Sequence, residues 1–165
     1  MANLRAAQYA GPHSRIDIRS YISGYFDGEG CFCVAIAPRP TLLVGWEVRP
    51  SVSVSQNGDR AEVIELIRAY FECGSIRPDR SDKTLKWETR RLNDIVVRVL
   101  PHFHEYPLIS GKQQDVALLW EICRIMKAGN HRTKSGLLEI ARMANRMNPS
   151  GVRRYSLAAI EATVR

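Results

Sequence analysis

Two carboxylates separated by a single glycine, Asp27 and Glu29, end the segment ISGYFDGEG at residues 22–30. If this segment is a helix, both acids lie at its carboxyl end, where the helix dipole disfavours an uncompensated anion by roughly 0.3–1 kcal/mol. A cation should therefore compensate them, and a divalent metal ion suits carboxylate oxygens. The pattern indicates metal-dependent chemistry at a helix end.

Small residues recur at helical spacing within the same segment. Gly24 and Gly28 stand at positions i and i+4, which allows two helix backbones to approach closely, and Ser23 adds another small side chain. The segment is therefore predicted to be a helix that packs against a second helix. The alternative is an ordinary buried helix that ends in a glycine-rich turn.

Residues 22–30 resemble the LAGLIDADG motif of homing endonucleases. Gly24, Asp27 and Gly30 match the motif, and most of the other positions vary. Glu29 stands where the motif has its final Asp. The resemblance therefore rests on three matching positions and one retained acid.

In that family the final acid of the motif binds a metal ion. The resemblance implies that Glu29, together with Gly28, holds Mg²⁺ or Mn²⁺. A metal ion there would polarise a phosphodiester, generate the attacking hydroxide and stabilise the leaving 3′ oxygen. The implied reaction is metal-assisted hydrolysis of DNA.

One copy of the motif is present in the 165 residues. A cut in both DNA strands therefore needs two chains, and the predicted dimer interface consists of Ser23, Gly24, Asp27 and Gly28. Two-fold packing of this helix would bring two Glu29 side chains together, and divalent cations must bridge such a cluster of like charges.

Members of the family surround the metal with polar and basic groups that order water near the scissile phosphate. The offsets from the motif imply that Gln56, Arg60 and Lys112 have this role, so that they and Glu29 are the predicted catalytic residues. A shift of two residues would put Ser110 in the place of Lys112. Helix capping and surface charge are the alternative roles of Gln56 and Arg60.

The periodicity of the chain predicts the elements that position these groups. Apolar residues alternate with small or polar ones at residues 31–37 and 47–55, which is typical of half-buried strands. The tripeptide NGD at 57–59 is predicted to break the second strand and cap a helix that runs to about Phe71. The other predicted elements are strands near 75–79 and 83–89 and helices near 93–103, 112–127 and 135–146.

This order agrees with the fold that the resemblance implies. It is an α+β, αββαββα half-saddle with an antiparallel four-stranded sheet and extra C-terminal helices, paired about a two-fold axis. The predicted divisions are an N-terminal extension at 1–19, a LAGLIDADG endonuclease domain at 20–150 and a C-terminal tail at 151–165. The sequence leaves open whether the tail folds on the core or becomes ordered only on DNA.

Helices on one face of such a sheet leave its polar face open to a nucleic acid. Arg49 and Arg77 are the strongest candidates for base contacts, because arginine pairs bidentately with guanine. Each candidate has the alternative of being an ordinary solvated strand residue. The predicted DNA-binding residues are Arg39, Glu47, Arg49, Ser51, Ser53, Arg77, Asp79, Lys86 and Glu88.

The charge of the chain also favours a polyanionic partner. The net charge is +7 and the isoelectric point is about 9.5. Residues 110–154 hold nine Lys or Arg against three acids, so this basic segment is predicted to lie along phosphates. No apolar run approaches the roughly 18 residues that cross a bilayer, and no membrane partner is expected.

The four cysteines do not form a metal-binding pair, and they are predicted to be reduced, buried thiols of an intracellular protein. The histidines lack the complementary ligands of a zinc site. The expected location is an organelle, either chloroplast or mitochondrion, or a prokaryotic cytoplasm.

These observations favour a homodimeric, site-specific DNA endonuclease encoded in a mobile intron or intein. It would cut both strands of a long, near-palindromic target. The alternative is a binder on the same scaffold that does not cleave, either a maturase with intron RNA as its partner or a DNA-binding regulator. The weakest alternative is a generic α/β interaction domain.

Overall fold

The computed structural model of the chain describes residues 16–79 and 83–165. The predicted α+β order is confirmed. The elements are α1 (Ile18–Glu29), β1 (Gly30–Pro38), β2 (Trp46–Asn57), α2 (Glu62–Phe71), β3 (Ser75–Asp79), β4 (Thr84–Thr89), α3 (Leu92–Asp94), α4 (Leu100–Glu105), α5 (Lys112–Lys127), α6 (Lys134–Arg146) and α7 (Leu157–Thr163). A π-helical turn, Ile95–Val99, joins α3 to α4, and 3-10 turns at Gly58–Arg60 and Asn130–Arg132 precede α2 and α6.

The four strands form one antiparallel sheet in the order β1-β2-β4-β3. Side chains alternate between its two faces, as the sequence predicts. The core face carries buried residues such as Phe32, Val52 and Trp87, and helices α1, α2 and α5 pack against the sheet. The open face carries Cys31, Cys33, Ala35, Ala37, Glu47, Arg49, Ser51, Ser53, Ser55, Arg77, Lys86 and Glu88.

An aromatic cluster joins α1 to the sheet. The Phe26 ring is fully buried and contacts four other aromatic rings at centroid distances between 5.0 and 6.2 Å. Aromatic pairs in these arrangements stabilise by about 0.5–1.5 kcal/mol beyond their buried area. The four rings belong to Phe32, Phe71, Trp87 and Phe103.

Gly30 is required where α1 passes directly into β1. A Cβ atom at this position would lie 2.5 Å from the Phe26 ring and 2.6 Å from the Phe26 carbonyl oxygen. The Gly30 N–H instead donates to that carbonyl and closes the helix. Close packing therefore explains the last glycine of the motif.

A buried hydrogen-bond network fixes the other side of α1. Ser23 donates its hydroxyl proton to the Tyr106 carbonyl oxygen at 2.6 Å, so it accepts from the His102 Nε2–H at 3.1 Å. The other ring nitrogen, Nδ1, then accepts from the Tyr70 hydroxyl at 3.0 Å. His102 is 6% exposed, and this burial lowers its pKa to about 4.

The C-terminal tail at 151–165 folds on the core. The Tyr155 ring packs edge-on against Trp46 at 5.4 Å, and Ile160 and Val164 are buried. The tail is therefore continuous with the body of the molecule, and the predicted limit at residue 150 separates no independent unit.

The first helix begins earlier than the predicted division. It starts at Ile18, and the Asp17 side chain caps it by accepting the Arg19 N–H. The predicted limit after residue 19 therefore falls inside α1. Residues 1–15 of the predicted extension lie outside the described residues.

Two other sequence predictions are wrong. The NGD tripeptide at 57–59 does not cap α2 with a side chain, because β2 continues to Asn57 and a 3-10 turn intervenes before α2 starts. The four cysteines are free, but Cys123 alone among them is buried, and Cys31 is exposed on the open face. Strand alternation explains this exposure. In β1, residues of odd number lie on the open face of the sheet, and Cys31 is the first of them.

Within residues 16–79 and 83–165, every helix is too short or too polar to span a lipid bilayer.

The buried His102 predicts a specific pH dependence of stability. Because its pKa falls from 6.5 to about 4 on folding, the unfolded chain takes up a proton first as the pH drops. The free energy of unfolding should therefore decrease by up to about 3 kcal/mol between pH 6.5 and 4. Urea unfolding across this range should show a smaller decrease in His102→Gln.

The matched control is His104→Gln, which changes an exposed histidine on the same helix. It should keep the pH slope of the unchanged chain. An unaltered slope in His102→Gln would contradict the assignment.

Candidate active site and nucleic-acid interface

The carboxyl end of α1 presents Glu29 to solvent. The Glu29 side chain is exposed, and it makes no hydrogen bond or ion pair to any other residue in 16–79 and 83–165. Glu29 lies two residues before Cys31, the first open-face position of β1. The acid is therefore available to a ligand at the margin of the open face.

Lys112, the first residue of α5, supplies a cation to the same helix end. Its ammonium group donates to the Gly28 carbonyl oxygen at 2.8 Å and approaches the Phe26 carbonyl oxygen at 3.5 Å. α1 has no basic residue in its last turn, so this ammonium offsets the negative end of the helix dipole. The compensating cation that the sequence required is present in the chain itself.

Asp27 is turned to a different partner from Glu29. Its carboxylate accepts the Ile109 N–H at 3.1 Å, the Ser110 N–H at 3.1 Å and the Ser110 hydroxyl. The hydroxyl contact, above all, holds the pKa of Asp27 below its usual value, and partial burial opposes it. Ser110 is thus occupied by Asp27, and Lys112 is the residue that reaches the helix end.

Gln56 lies at the end of β2, next to α1. Its side-chain carbonyl accepts the Asn57 N–H at 2.8 Å, and it also lies within hydrogen-bonding reach of the Tyr25 hydroxyl. Arg60 is exposed in the turn after β2 and makes no contact with Glu29 among the described residues. The structure therefore connects Gln56 to α1 and leaves Arg60 at the periphery.

Tyr25 is a residue of the site that the sequence analysis missed. Its hydroxyl donates to the Ser55 carbonyl oxygen at 3.4 Å. Burial raises the pKa of Tyr25, and the nearby Glu29 carboxylate raises it further. The spacing of four residues between Tyr25 and Glu29 places both on one helix face, and it was the available signal.

The end of α1 fits a divalent cation. Glu29 and the Gly28 carbonyl are hard oxygen donors of the kind that divalent cations bind. The Gly28 carbonyl accepts a hydrogen bond from the Lys112 ammonium at 2.8 Å, and a metal ion bound there would have to share or displace this contact. Across residues 16–79 and 83–165, no three His, Cys, Asp or Glu side chains gather to hold a metal ion.

Two glycines lie on the exposed side of α1, together with larger residues such as Tyr21. Gly24 and Gly28 are exposed, and a Cβ atom added to either would meet no atom of this chain within 4 Å. Ser23 does not share this face, because it is 5% exposed and bonded inside its own chain. Its predicted place in the dimer interface stays a prediction, while in this chain its hydroxyl bonds to His102 and Tyr106.

Ion pairs orient the basic groups at one end of the open face. Glu47 accepts from Arg39 at 2.5 Å and lies 4.0 Å from Arg49. Both arginines remain about half exposed. Such surface pairs contribute little to stability, so their main effect is to hold two guanidinium groups above the sheet.

A second acid organises the other end of the open face. The Glu88 side chain is 11% exposed and lies 3.0 Å from both Arg77 and Arg90 and 3.9 Å from Lys86. One carboxylate thus anchors three cations. The predicted acidic base contacts, Glu47 and Glu88, already have ion-pair partners on their own chain.

The remaining predicted DNA contacts differ in accessibility. Ser51 is half-buried, and Ser53 is 4% exposed between neighbouring strands. A ligand on the sheet surface would not reach Ser53 without displacing its neighbours. The Asp79 side chain lies outside the described residues.

The basic segment at 110–154 divides between two surfaces. On the helices, Arg124 pairs with Glu121 and Arg142 with Glu161. After α6, Arg153 and Arg154 join Arg49 around a cleft of about 210 Å³ at the edge of β1. The tail, more than helices α5 and α6, adds basic groups beside the open face.

Comparison with known proteins shows the family of the chain. It is 30% identical over 122 residues to probable intron-encoded endonuclease 2 of Neurospora crassa, with 73% of this chain aligned. It is 33% identical over 132 residues to an uncharacterized 50.9 kDa protein in ND4 intron 1 of Podospora anserina, with 79% of this chain aligned. The chain covers 27% and 29% of the lengths of these relatives.

Solved structures share the fold. The homing endonuclease I-TnaI superposes with a TM-score of 0.76 at 28% identity, over 88% of this chain and 94% of that one. The LAGLIDADG homing endonuclease I-LtrWI, solved bound to target DNA, gives a TM-score of 0.79 at 30% identity, over 83% of this chain and 46% of that one. The model of the LAGLIDADG endonuclease family matches residues 22–136, and the chain belongs to this family.

Proposed function

We propose that this chain is one subunit of a site-specific DNA endonuclease that makes a metal-dependent double-strand break at a long, near-palindromic target. The observation that carries the proposal is the exposed Glu29 carboxylate at the end of α1, beside the Lys112 ammonium and the basic open face. The names of the intron-encoded relatives and the DNA-bound I-LtrWI structure support it.

The residues at the end of α1 suit phosphodiester hydrolysis. Glu29 and the Gly28 carbonyl would hold Mg²⁺ or Mn²⁺, which supplies a water of lowered pKa and a counter-charge for the phosphate. Lys112 places a positive charge beside the same helix end, where negative charge develops on the phosphate oxygens. Gln56, near the end of β2, would order water, and Arg60, in the turn that follows, would contact the backbone of the DNA.

The open face would lie in the major groove of DNA. Its arginines are held in place by Glu47 and Glu88 and are free of overlying helices. A strand of about eight residues spans roughly 26 Å, which corresponds to about eight base pairs. One chain would therefore cover a half-site, and a second copy would cover the other.

An exposed carboxylate at this position favours cleavage over binding alone. A maturase or regulator on this scaffold has no need of an unpaired acid beside the phosphate path. Tight, salt-sensitive binding of DNA or intron RNA without any cut would favour that alternative.

Glu29→Gln should abolish cleavage, because the amide cannot hold a divalent cation in place of the carboxylate. The substrate is a plasmid that carries the insertion site of the gene, rebuilt without the intervening sequence. The unchanged protein should give a discrete double-strand cut in Mg²⁺ and none in EDTA. Glu139→Gln, on the exposed side of α6, is the matched control and should cleave normally. Intact cleavage by Glu29→Gln would show that Glu29 is not the metal ligand.

Gly24→Leu should abolish dimerisation. A larger side chain meets nothing in its own chain, so the fold should persist while the second helix is kept at a distance. Sedimentation velocity of this variant should give a monomer. Ala117→Leu, at an exposed position of α5, should remain dimeric. A dimer that survives in Gly24→Leu would place the interface elsewhere.

Arg49→Ala should weaken binding of the target by about 1–3 kcal/mol and relax the base preference at one position of each half-site. Arg68→Ala is the control, because Arg68 pairs with Glu65 on α2, behind the sheet. Binding can be measured against a library of single-base variants in Ca²⁺. Uniform weakening across all of them would make Arg49 a phosphate contact.

A further inference from the structure

We propose that Asp27 is a positioning residue for Lys112: it docks the turn before α5 onto α1 and thereby sets the place of the Lys112 ammonium at the end of that helix. The inference rests on the function proposed above, in which Lys112 acts beside the scissile phosphate. The two acids of the motif then have different roles. Glu29 is exposed and available to a ligand, whereas Asp27 is bonded within its own chain.

The Asp27 carboxylate is occupied by one short stretch of backbone. It accepts the Ile109 N–H at 3.1 Å, the Ser110 N–H at 3.1 Å and the Ser110 hydroxyl. Hydrogen bonds to a charged acceptor are stronger than those between neutral groups. Three of them on one side chain fix the turn against α1.

The turn is also rigid within itself. Gln113 accepts the Leu108 N–H through its side-chain carbonyl at 2.9 Å, and the Leu108 side chain is 6% exposed. The Ser110 oxygen that donates to Asp27 accepts the Lys112 N–H at 3.2 Å. A displacement of the turn at Ser110 is therefore passed to the backbone of Lys112.

The Lys112 side chain returns to the residue beside Asp27. Its ammonium donates to the Gly28 carbonyl at 2.8 Å. The contacts therefore form a closed loop: Asp27 bonds to Ser110, Ser110 bonds to Lys112, and Lys112 bonds to Gly28, the residue after Asp27. A lysine stem has four flexible carbons, so its backbone anchor determines where the ammonium can rest. Misplacement by 1 Å in a site of this kind can reduce a rate by about 100-fold.

The position of Lys112 can be measured without any cleavage. Competitive acetylation, read by mass spectrometry against Lys134 of the same chain as the reference, should label Lys112 slowly in the unchanged protein. Asp27→Asn should raise its relative labelling several-fold, because an amide presents N–H groups to donors that need an acceptor. Asp17→Asn is the matched control, since it removes the carboxylate that caps the other end of α1. It should leave Lys112 labelling unchanged.

A double-mutant cycle shows whether Asp27 acts through Lys112. Single-turnover cleavage should fall by about 100-fold in Asp27→Asn and by a similar factor in Lys112→Met. The double variant should be no slower than Lys112→Met alone. Asp17→Asn should instead reduce the thermal stability without reducing the rate in folded protein.

Three results would overturn the proposal. They are unchanged Lys112 labelling in Asp27→Asn, rate losses that multiply in the double variant, and dissociation of the dimer in Asp27→Asn that accounts for the loss of cleavage. Absence of cleavage by the unchanged protein would overturn the endonuclease function, and the labelling experiment would still decide whether Asp27 holds Lys112 in place.

Discussion

The close packing of Phe26 against Gly30 is the constraint on which the rest of the structure depends. There is no space for a Cβ atom at Gly30, so α1 passes straight into β1 with its last turn pressed onto the aromatic cluster. This packing buries one side of α1, and the other side, with Gly24 and Gly28, stays bare. Glu29 is held at the junction of the helix layer, the bare helix face and the open sheet face.

The fold could be predicted from the sequence because its signals are local. Alternation predicted β1 and β2, and helical spacing predicted α5 at its observed limits, Lys112–Lys127. Sequence patterns do not show the contacts that join distant residues. Ser23 looks like another small interface residue, but its hydroxyl is bonded to His102 and Tyr106, about eighty positions away.

The candidate site shows the same division. One short segment supplies Glu29 and the glycines as candidates, whereas only the position of the turn before α5 shows that Ser110 bonds to Asp27 and that Lys112 reaches the end of α1. From the sequence, Glu29 was the expected metal ligand and Asp27 an expected interface residue. The structure adds that backbone N–H groups from the other half of the chain donate to the Asp27 carboxylate.

If the chain binds DNA through its open face as proposed, the Glu88 carboxylate has a consequence for attempts to change its sequence specificity. Glu88 forms ion pairs with Arg77, Lys86 and Arg90 at the same time. A substitution at any one of these three positions removes one partner of the carboxylate and changes the conformations of the other two side chains. Their effects on specificity are therefore coupled and will not add. Retargeting by selection at single positions would meet epistasis here, and the three cations with their shared acid form the smallest unit that can be redesigned as a whole.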